Sequence, residues 1–357
     1  MSIVRAASRC VNVPAVVWPP AVHCGIVFFF RMSIVLVTGG SGFIGSHLLD
    51  RLVADAEVEL VLNVDIKKGT VHEKIRSFTL DIANPRIVTE TLSPHIPYIT
   101  HIVHLAAKPG VQDSISLASE CARVNILGSI EIFEFSRNCP KLVSLLFASS
   151  SSVYGERPAG AFVETDVCTN PASPYASSKC AVELLGRNFS DLFGIPIVGL
   201  RFFTVYGPSG RADMLVRRLV DAAVQGRVEE QTRQLTVQST PTLSIFGNAS
   251  REFTFVTDAV EAIVLAMKAS LSNKFELINV GGGEVCSVSR LIEIVEAEVG
   301  KISIAHHPAQ PGDVSHTQAD LSKARTLLGF EPRVGLAEGI RRCVVEKPDL
   351  TLHSRGF

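Results

Sequence analysis

Short continuous apolar runs alternate along this chain with longer stretches of helical periodicity. The runs are IVLVT at 34–38, ELVLNVD at 59–65, HIVHLAA at 101–107, LVSLLFASS at 142–150 and IPIVGLRFF at 195–203. An unbroken apolar run is the pattern of a strand buried on both faces of a parallel sheet. Between the runs, SHLLDRLVADA, CARVNILGSIEIFEFSRN and SPYASSKCAVELLGRNFSDLF repeat apolar residues every three or four positions, which predicts helices. Strand and helix alternating at this spacing predict an α/β fold, a doubly wound parallel sheet of the Rossmann kind.

Beyond Tyr206 the texture changes. Prolines and charges become more frequent, and residues 227–242 predict an irregular loop or hairpin. Short strands follow at LSIF and REFTFV, then helices over 258–270 and 287–299. This half predicts a smaller C-terminal lobe against the carboxyl ends of the strands, where ligands bind in such sheets. The expected division is an extension at 1–31, a dinucleotide-binding domain at 32–205 and, over 206–357, mainly a substrate-binding lobe.

Residues 10–30 carry no Lys, Arg, Asp or Glu and are long enough to span a bilayer. Pro14, Pro19 and Pro20 interrupt them, and proline breaks helices. Arg5, Arg9 and Arg31 flank the stretch, as in a signal anchor or a transit peptide. MSIV occurs at residue 1 and again at residue 32, so a start at Met32 is a third reading. A membrane enters only if residues 10–30 act as an anchor.

The 357 residues allow one large or two medium domains. With 34 basic and 35 acidic residues, charge gives no reason to expect nucleic acid or an anionic membrane. The eight cysteines are scattered with no C-x-x-C pair, so neither a disulfide framework nor a metal site is expected. A reducing compartment, the cytoplasm, is the expected location. Sequons at Asn188 and Asn248 matter only in a secretory lumen.

Gly39, Gly42 and Gly45 form G-x-x-G-x-x-G between the first strand and the first helix, around Phe43 and Ile44. Glycine permits a tight turn and close approach to a pyrophosphate, and the helix N-terminus offers N–H groups and a positive dipole end. Asp65, 20 residues past Gly45, ends the second strand. A carboxylate there accepts ribose hydroxyls and repels a 2′-phosphate, which selects NAD over NADP. Asp81 and Ile82 could flank the adenine, and Asp81 could equally cap a helix. Ala106, Ala107 and Lys108 end the fourth strand, where small residues let backbone lie along the cofactor.

Tyr175 and Lys179 stand four apart on a predicted helix, and so on one face. A phenol near ~10 needs help to act as a base at neutral pH, and a neighbouring ammonium provides it. Ser150, 25 residues upstream of Tyr175 at a strand end, can hydrogen-bond the same substrate oxygen. Taken alone, Tyr-x-x-x-Lys also describes an ordinary surface tyrosine. His101, His104, His306 and His307 have no ligand-like company and read as structural or solvated.

TGGSGFIGSH, HLAAKPGV, SSSSVYG, PYASSK, LRFFTVYGP, REFTFVTDAV and QPGDVSHTQADLSKARTLLGF stand in this order between about Met32 and Glu346. In them the chain resembles the extended short-chain dehydrogenase/reductase family of nucleotide-sugar epimerases and dehydratases. The resemblance implies a catalytic set of Ser150, Tyr175 and Lys179, a homodimer and a UDP-sugar substrate. Members that eliminate or decarboxylate resemble a pattern with acids before Val-Tyr-Gly, where this chain has Ser151 and Ser152. With Tyr175 as the one acid/base, the implied reaction is oxidation and re-reduction of one carbon: NAD-dependent C4 epimerisation through a 4-keto sugar.

RFFTVYGPSGRADM at 201–214 and QPGDV at 310–314 look most like UDP-glucuronate 4-epimerases. A 4-keto uronate is a β-keto acid, and pinning its carboxylate suppresses loss of carbon dioxide. Ser151, Ser152, Thr204 and Arg211 could pin it by hydroxyl and charge-assisted bonds; a turn capping the strand would also explain the serines. By resemblance Arg251 pairs with the diphosphate and Asp313 with a ribose hydroxyl. A surface arginine and a turn after Pro311-Gly312 are the plainer readings. Gln112 stands where the family usually has arginine. The alternatives kept are a UDP-glucose or UDP-N-acetylglucosamine 4-epimerase and a non-catalytic NAD-binding sensor.

Overall fold

The computed structural model describes residues 32–232 and 242–345. Six strands build the sheet first: β1 (Ser33–Thr38), β2 (Val58–Asp65), β3 (Ile75–Thr79), β4 (His101–His104), β5 (Ser144–Ser150) and β6 (Ile197–Phe202). A seventh, Phe275–Val280, joins at the edge beside β6. The order across the sheet is Phe275–Val280, β6, β5, β4, β1, β2, β3, and every pairing is parallel.

The burial explains the unbroken apolar runs. Val35, Leu36 and Val37 are fully buried, yet successive strand residues face opposite ways. Leu36, Leu62, Ile102, Leu145 and Phe147 share one core with Phe133 and Phe189 of the helices Gly128–Ser136 and Pro174–Phe193. Val35, Val37, Val61, Val103 and Leu146 share the other with Leu48 and Leu52 of helix Phe43–Val53 and with Ile263 of helix Val256–Lys268. Both faces are covered, so no polar alternation survives.

The chain winds outward from β1 through β2 and β3, then returns to place β4 on the other side of β1. The connections leaving the carboxyl ends of β1 and β4 therefore diverge, and a crevice opens between them. A third core gathers Leu219, Val220, Phe253, Phe255, Leu291, Val295 and Ile340 in the C-terminal lobe.

Three sequence expectations need correction. The chain does not divide cleanly at 205, because Phe275–Val280 completes the main sheet and Val256–Lys268 covers one of its faces. The irregular segment expected at 227–242 begins as helix, since Leu215–Thr232 runs into it; residues 233–241 lie outside the described residues, as do the readings of 1–31. Asp81 caps no helix. Its Oδ1 accepts the Ala83 N–H at 2.9 Å in a local turn, and the next helix starts at Ile87.

Among the described residues no helix is long and apolar enough to cross a membrane, and no cluster of His, Cys, Asp or Glu could hold a metal ion. His104 is a core residue: it bonds Thr38 Oγ1 at 2.7 Å and Ser129 Oγ at 2.9 Å, and burial pushes it down to about 3. His101 is held low by burial, at about 4. His306 and His307 are exposed, and His307 stacks on Phe246.

Candidate active site

Helix Pro174–Phe193 sets the site. Ser173 caps it by accepting the Ala176 N–H at 3.1 Å, Pro174 occupies the first turn, and left-handed Gly194 ends it. One face zips onto the end of β5. The Ser150 hydroxyl pulls on the Tyr175 phenol, Lys179 Nζ donates to the Ala148 carbonyl at 2.8 Å, and Glu183 Oε1 accepts from Ser149 Oγ at 2.5 Å. The three residues are spaced i, i+4, i+8, one per turn on a single stripe.

Ser150 also begins the short turn Ser151–Tyr154. Its Oγ accepts the Ser152 N–H at 3.2 Å and the Ser152 hydroxyl at 2.9 Å. The strand-capping turn is thus made by Ser150 itself, while Ser151 and Ser152 line the cavity.

The charges differ in detail from the sequence expectation. Lys179 lies 5.8 Å from the Tyr175 ring centre and aims at backbone. Burial lowers it to about 8, with Cys121 and Glu183 opposing. Burial raises the Tyr175 phenol, and the Ser150 hydroxyl and the Arg211 charge pull it back down. Arg211 thus bears on the phenol, which its sequence position does not suggest.

The glycine turn is tight. Gly39 has φ +76, and a Cβ there would stand 2.6 Å from Ala106 N. A Cβ on Gly45 would stand 2.1 Å from Gly39 O, so turn and helix touch through the absent side chain. No side chain caps the Phe43–Val53 helix, which leaves its N-terminus to an anion. Asp65 is buried and accepts the Ser41 and Lys67 N–H groups at 2.9 Å, one on each oxygen. A carboxylate offers about four acceptor sites, so ribose hydroxyls still have room. Asp81 pairs with Arg123 at 2.9 Å, and Ile82 is buried beneath it.

A single cavity of about 1090 Å³ runs from this turn to the C-terminal lobe. Every residue nominated from the sequence lines it: Gly39, Gly42, Phe43, Ile44 and Gly45 of the turn and first helix, Asp65 at the end of β2, Asp81 and Ile82, Ala106 and Lys108, Ser150 to Ser152, Tyr175 and Lys179, then Thr204, Arg211, Arg251 and Asp313. Arg251 is half-buried and donates to the Ser250 carbonyl at 3.1 Å and to the Val314 carbonyl. Burial lowers its pKa, while Asp313 and Glu156 raise it. Its neighbour Glu252 points away, onto the Gly283 and Ala319 N–H groups. Gln112 donates to the Pro311 carbonyl at 3.1 Å and ties the loop after β4 to the Gln310–Val314 segment.

Sequence reasoning missed Asn125. It sits buried in the π-helical turn Arg123–Leu127, a form enriched at functional sites. Its Oδ1 accepts the Lys108 N–H at 2.7 Å, and its Nδ2 donates to Ser178 Oγ at 2.9 Å and to the Lys108 carbonyl at 3.2 Å. It locks the loop after β4 to the helix that carries Tyr175. Glu183 was missed too; its signal was an acid on the same helical stripe as Tyr175 and Lys179.

Residues 35–281 match the NAD dependent epimerase/dehydratase family. The chain belongs to that family. An uncharacterised UDP-glucose epimerase of Bacillus subtilis is 33% identical over 86% of this chain and 95% of its own length. A UDP-glucuronate 4-epimerase of Thermodesulfobacterium geofontis is 32% identical over 88% of this chain and 95% of its own. The crystal structure of UDP-glucuronic acid 4-epimerase from Bacillus cereus, in complex with UDP-glucuronic acid and NAD, superposes with TM-score 0.77. It is 32% identical, and the match covers 88% of this chain and 98% of that one. The chain is an enzyme of this family, and its cofactor is NAD; the glycine turn, the uncapped helix and Asp65 fit that group.

Substituting Gly45→Ala forces the turn away from its helix. NAD binding, titrated by calorimetry, should weaken at least about tenfold with the fold retained by circular dichroism. Unchanged affinity would show that the turn does not hold the cofactor.

Proposed function

We propose that this protein is an NAD-dependent UDP-sugar 4-epimerase whose substrate is UDP-glucuronate and whose product is UDP-galacturonate. The observation that carries the reading is Tyr175 lining one cavity with the end of β5, where Ser150, Ser151 and Ser152 stand rather than acids. A dehydratase needs a second acid/base at the sugar. The relatives named for UDP-glucuronate support the acid sugar, and so does Arg211, a cation whose charge reaches Tyr175.

When bound, NAD supplies the redox chemistry, taking the C4 hydride and returning it to the opposite face. The chain's own part is proton transfer and grip. Tyr175 takes the proton of the C4 hydroxyl and later gives it back. Ser150, whose Oγ already accepts twice from Ser152, has its one O–H left to donate to the substrate oxygen, fixing the line along which the proton moves. Lys179, buried and still protonated at neutral pH, supplies positive charge behind the phenol. Arg251 and Asp313 hold the UDP moiety, which leaves only the sugar to turn over. Ser151, Ser152, Thr204 and Arg211 hold the uronate carboxylate away from the geometry that loses carbon dioxide.

A UDP-glucose 4-epimerase is the second reading, supported by the Bacillus subtilis relative named a UDP-glucose epimerase. The sensor reading gives no account of Ser150, Tyr175 and Lys179 lining one cavity.

We also infer a homodimer. The helices Ala118–Ala122 and Pro174–Phe193 pack together and leave Leu117, Leu184 and Leu192 exposed, Leu184 by 68% and Leu192 by 73%. Leu184 and Leu192 are eight apart, hence on one stripe, and an apolar stripe of this kind suits a second copy. A cytoplasmic location accords with the free thiols of Cys121, Cys139, Cys168, Cys180 and Cys286.

Incubating the protein with UDP-glucuronate and separating the nucleotide sugars should give UDP-galacturonate, and Tyr175→Phe should lower the rate by at least about 10²-fold while NAD stays bound. A UDP-pentose product would refute the carboxylate grip. Lys179 is charged below its pKa and neutral above it, so kcat/KM should fall as pH rises through about 8; a rate flat to pH 10 would remove Lys179's charge from the mechanism. Light scattering should give twice the chain mass, and Leu184→Glu should return it to one.

A further inference from the structure

The forked edge of Arg211, its Nε and Nη2, is already occupied. Its Nε donates to Asp213 Oδ1 at 2.9 Å and its Nη2 to Asp213 Oδ2, a two-point grip on both carboxylate oxygens. This pairing takes one planar edge of the guanidinium, the arrangement by which arginine recognises any carboxylate. The fork is also near the chemistry. Arg211 Nη2 lies 3.4 Å from where a Cβ of Gly110 would stand, and its charge bears on the Tyr175 phenol. Asp213 and Arg211 both line the cavity.

The two partners differ in exposure: the Arg211 side chain is 30% exposed and the Asp213 side chain 57%. Asp213 can rejoin solvent at small cost, because exposed ion pairs contribute little. Arg218, whose Nη2 donates to the Ser244 carbonyl at 2.9 Å, also bears on Asp213 through its charge.

We propose that Asp213 is a displaceable counter-ion that tempers the preference for acid sugars, giving up the Arg211 fork to a sugar carboxylate and keeping it when the sugar is neutral. This rests on the reading of Arg211 given above. The exchange swaps one carboxylate for another, so net charge at the fork is conserved and Arg211 is never left bare in the wall. A neutral sugar has nothing to offer the fork and leaves the pair intact. Asp213 therefore lowers the affinity for acid sugars alone and eases release of an acid product. It is a specificity-determining residue that touches Arg211 rather than the reacting carbon.

The test is calorimetric titration of the full chain with UDP-glucuronate and, separately, UDP-glucose, for wild type, Asp213→Asn and Arg211→Ala. Asparagine keeps the shape and removes the competing charge. The expected result is UDP-glucuronate bound roughly three- to tenfold tighter by Asp213→Asn, with UDP-glucose unchanged and Arg211→Ala weakening UDP-glucuronate alone. If Arg211→Ala weakens UDP-glucuronate but Asp213→Asn leaves it unchanged or weaker, Asp213 orients the fork and the proposal is overturned while the carboxylate reading stands. Equal tightening of both sugars overturns it as well. If Arg211→Ala affects neither sugar, the carboxylate reading falls and the proposal falls with it.

Discussion

The active site depends on one seam, where a stripe of helix Pro174–Phe193 closes on the end of β5. Lys179 and Glu183 bond the Ala148 carbonyl and Ser149, and Tyr175 stands one turn before Lys179 on the same stripe. Two bonds one turn apart fix the helix along its axis and about it, so the phenol cannot drift from the strand end without breaking them. A carbonyl at a strand end usually meets water or the next strand. Here it holds a buried ammonium, which would otherwise be costly to desolvate. The same bond holds Lys179 Nζ over the Tyr175 ring, 5.8 Å from its centre.

The seam is anchored in a buried polar network. Arg201 grips Glu183 with two bonds, at 2.8 and 2.7 Å, and both side chains are nearly excluded from solvent. Such a pair adds little net stability over an apolar replacement, and breaking one side leaves an uncompensated charge. What it provides is a unique register for β5, β6 and the helix. Arg201 lies over the Tyr154 ring, and the Tyr154 hydroxyl donates to Asn279 Oδ1 at 2.7 Å on the edge strand. Asn279 in turn binds the Phe162 and Asp320 carbonyls. The C-terminal half is thus tied to the catalytic strand through hydrogen bonds at defined angles rather than through apolar contact alone.

Much of this was legible in the sequence because the signals are local. The apolar runs mark strands buried on two faces, and the glycines mark a turn where Gly45 meets Gly39 O with no space between. Tyr175 and Lys179 show their shared face by spacing. Long-range consequences were not legible. That Arg211 lies close enough to act on Tyr175 depends on the path of the chain after β6, and no periodicity records it. Asn125 looks ordinary in the sequence, and only the packing of its turn against Lys108 and Ser178 gives it work. The edge strand 275–280 could not be assigned to the main sheet, since its partner β6 is separated from it by the whole lobe insertion.

The chemistry of the cavity follows from which of its acids are already committed. Asp65 accepts two backbone N–H groups, Asp81 and Glu120 share Arg123, and Asp213 holds Arg211. At the end of β5, where a second acid would abstract a carbon-bound proton, the chain places hydroxyls. A hydroxyl can donate and accept but does not ionise near neutral pH. On the reading proposed above, Tyr175 is the group there with a proton to exchange, and burial raises its pKa against the pull of Ser150 and Arg211. Such a site would move one proton at one oxygen. It suits a reaction that removes and restores hydrogen at a single carbon, and it withholds the second proton transfer by which related chemistry becomes elimination.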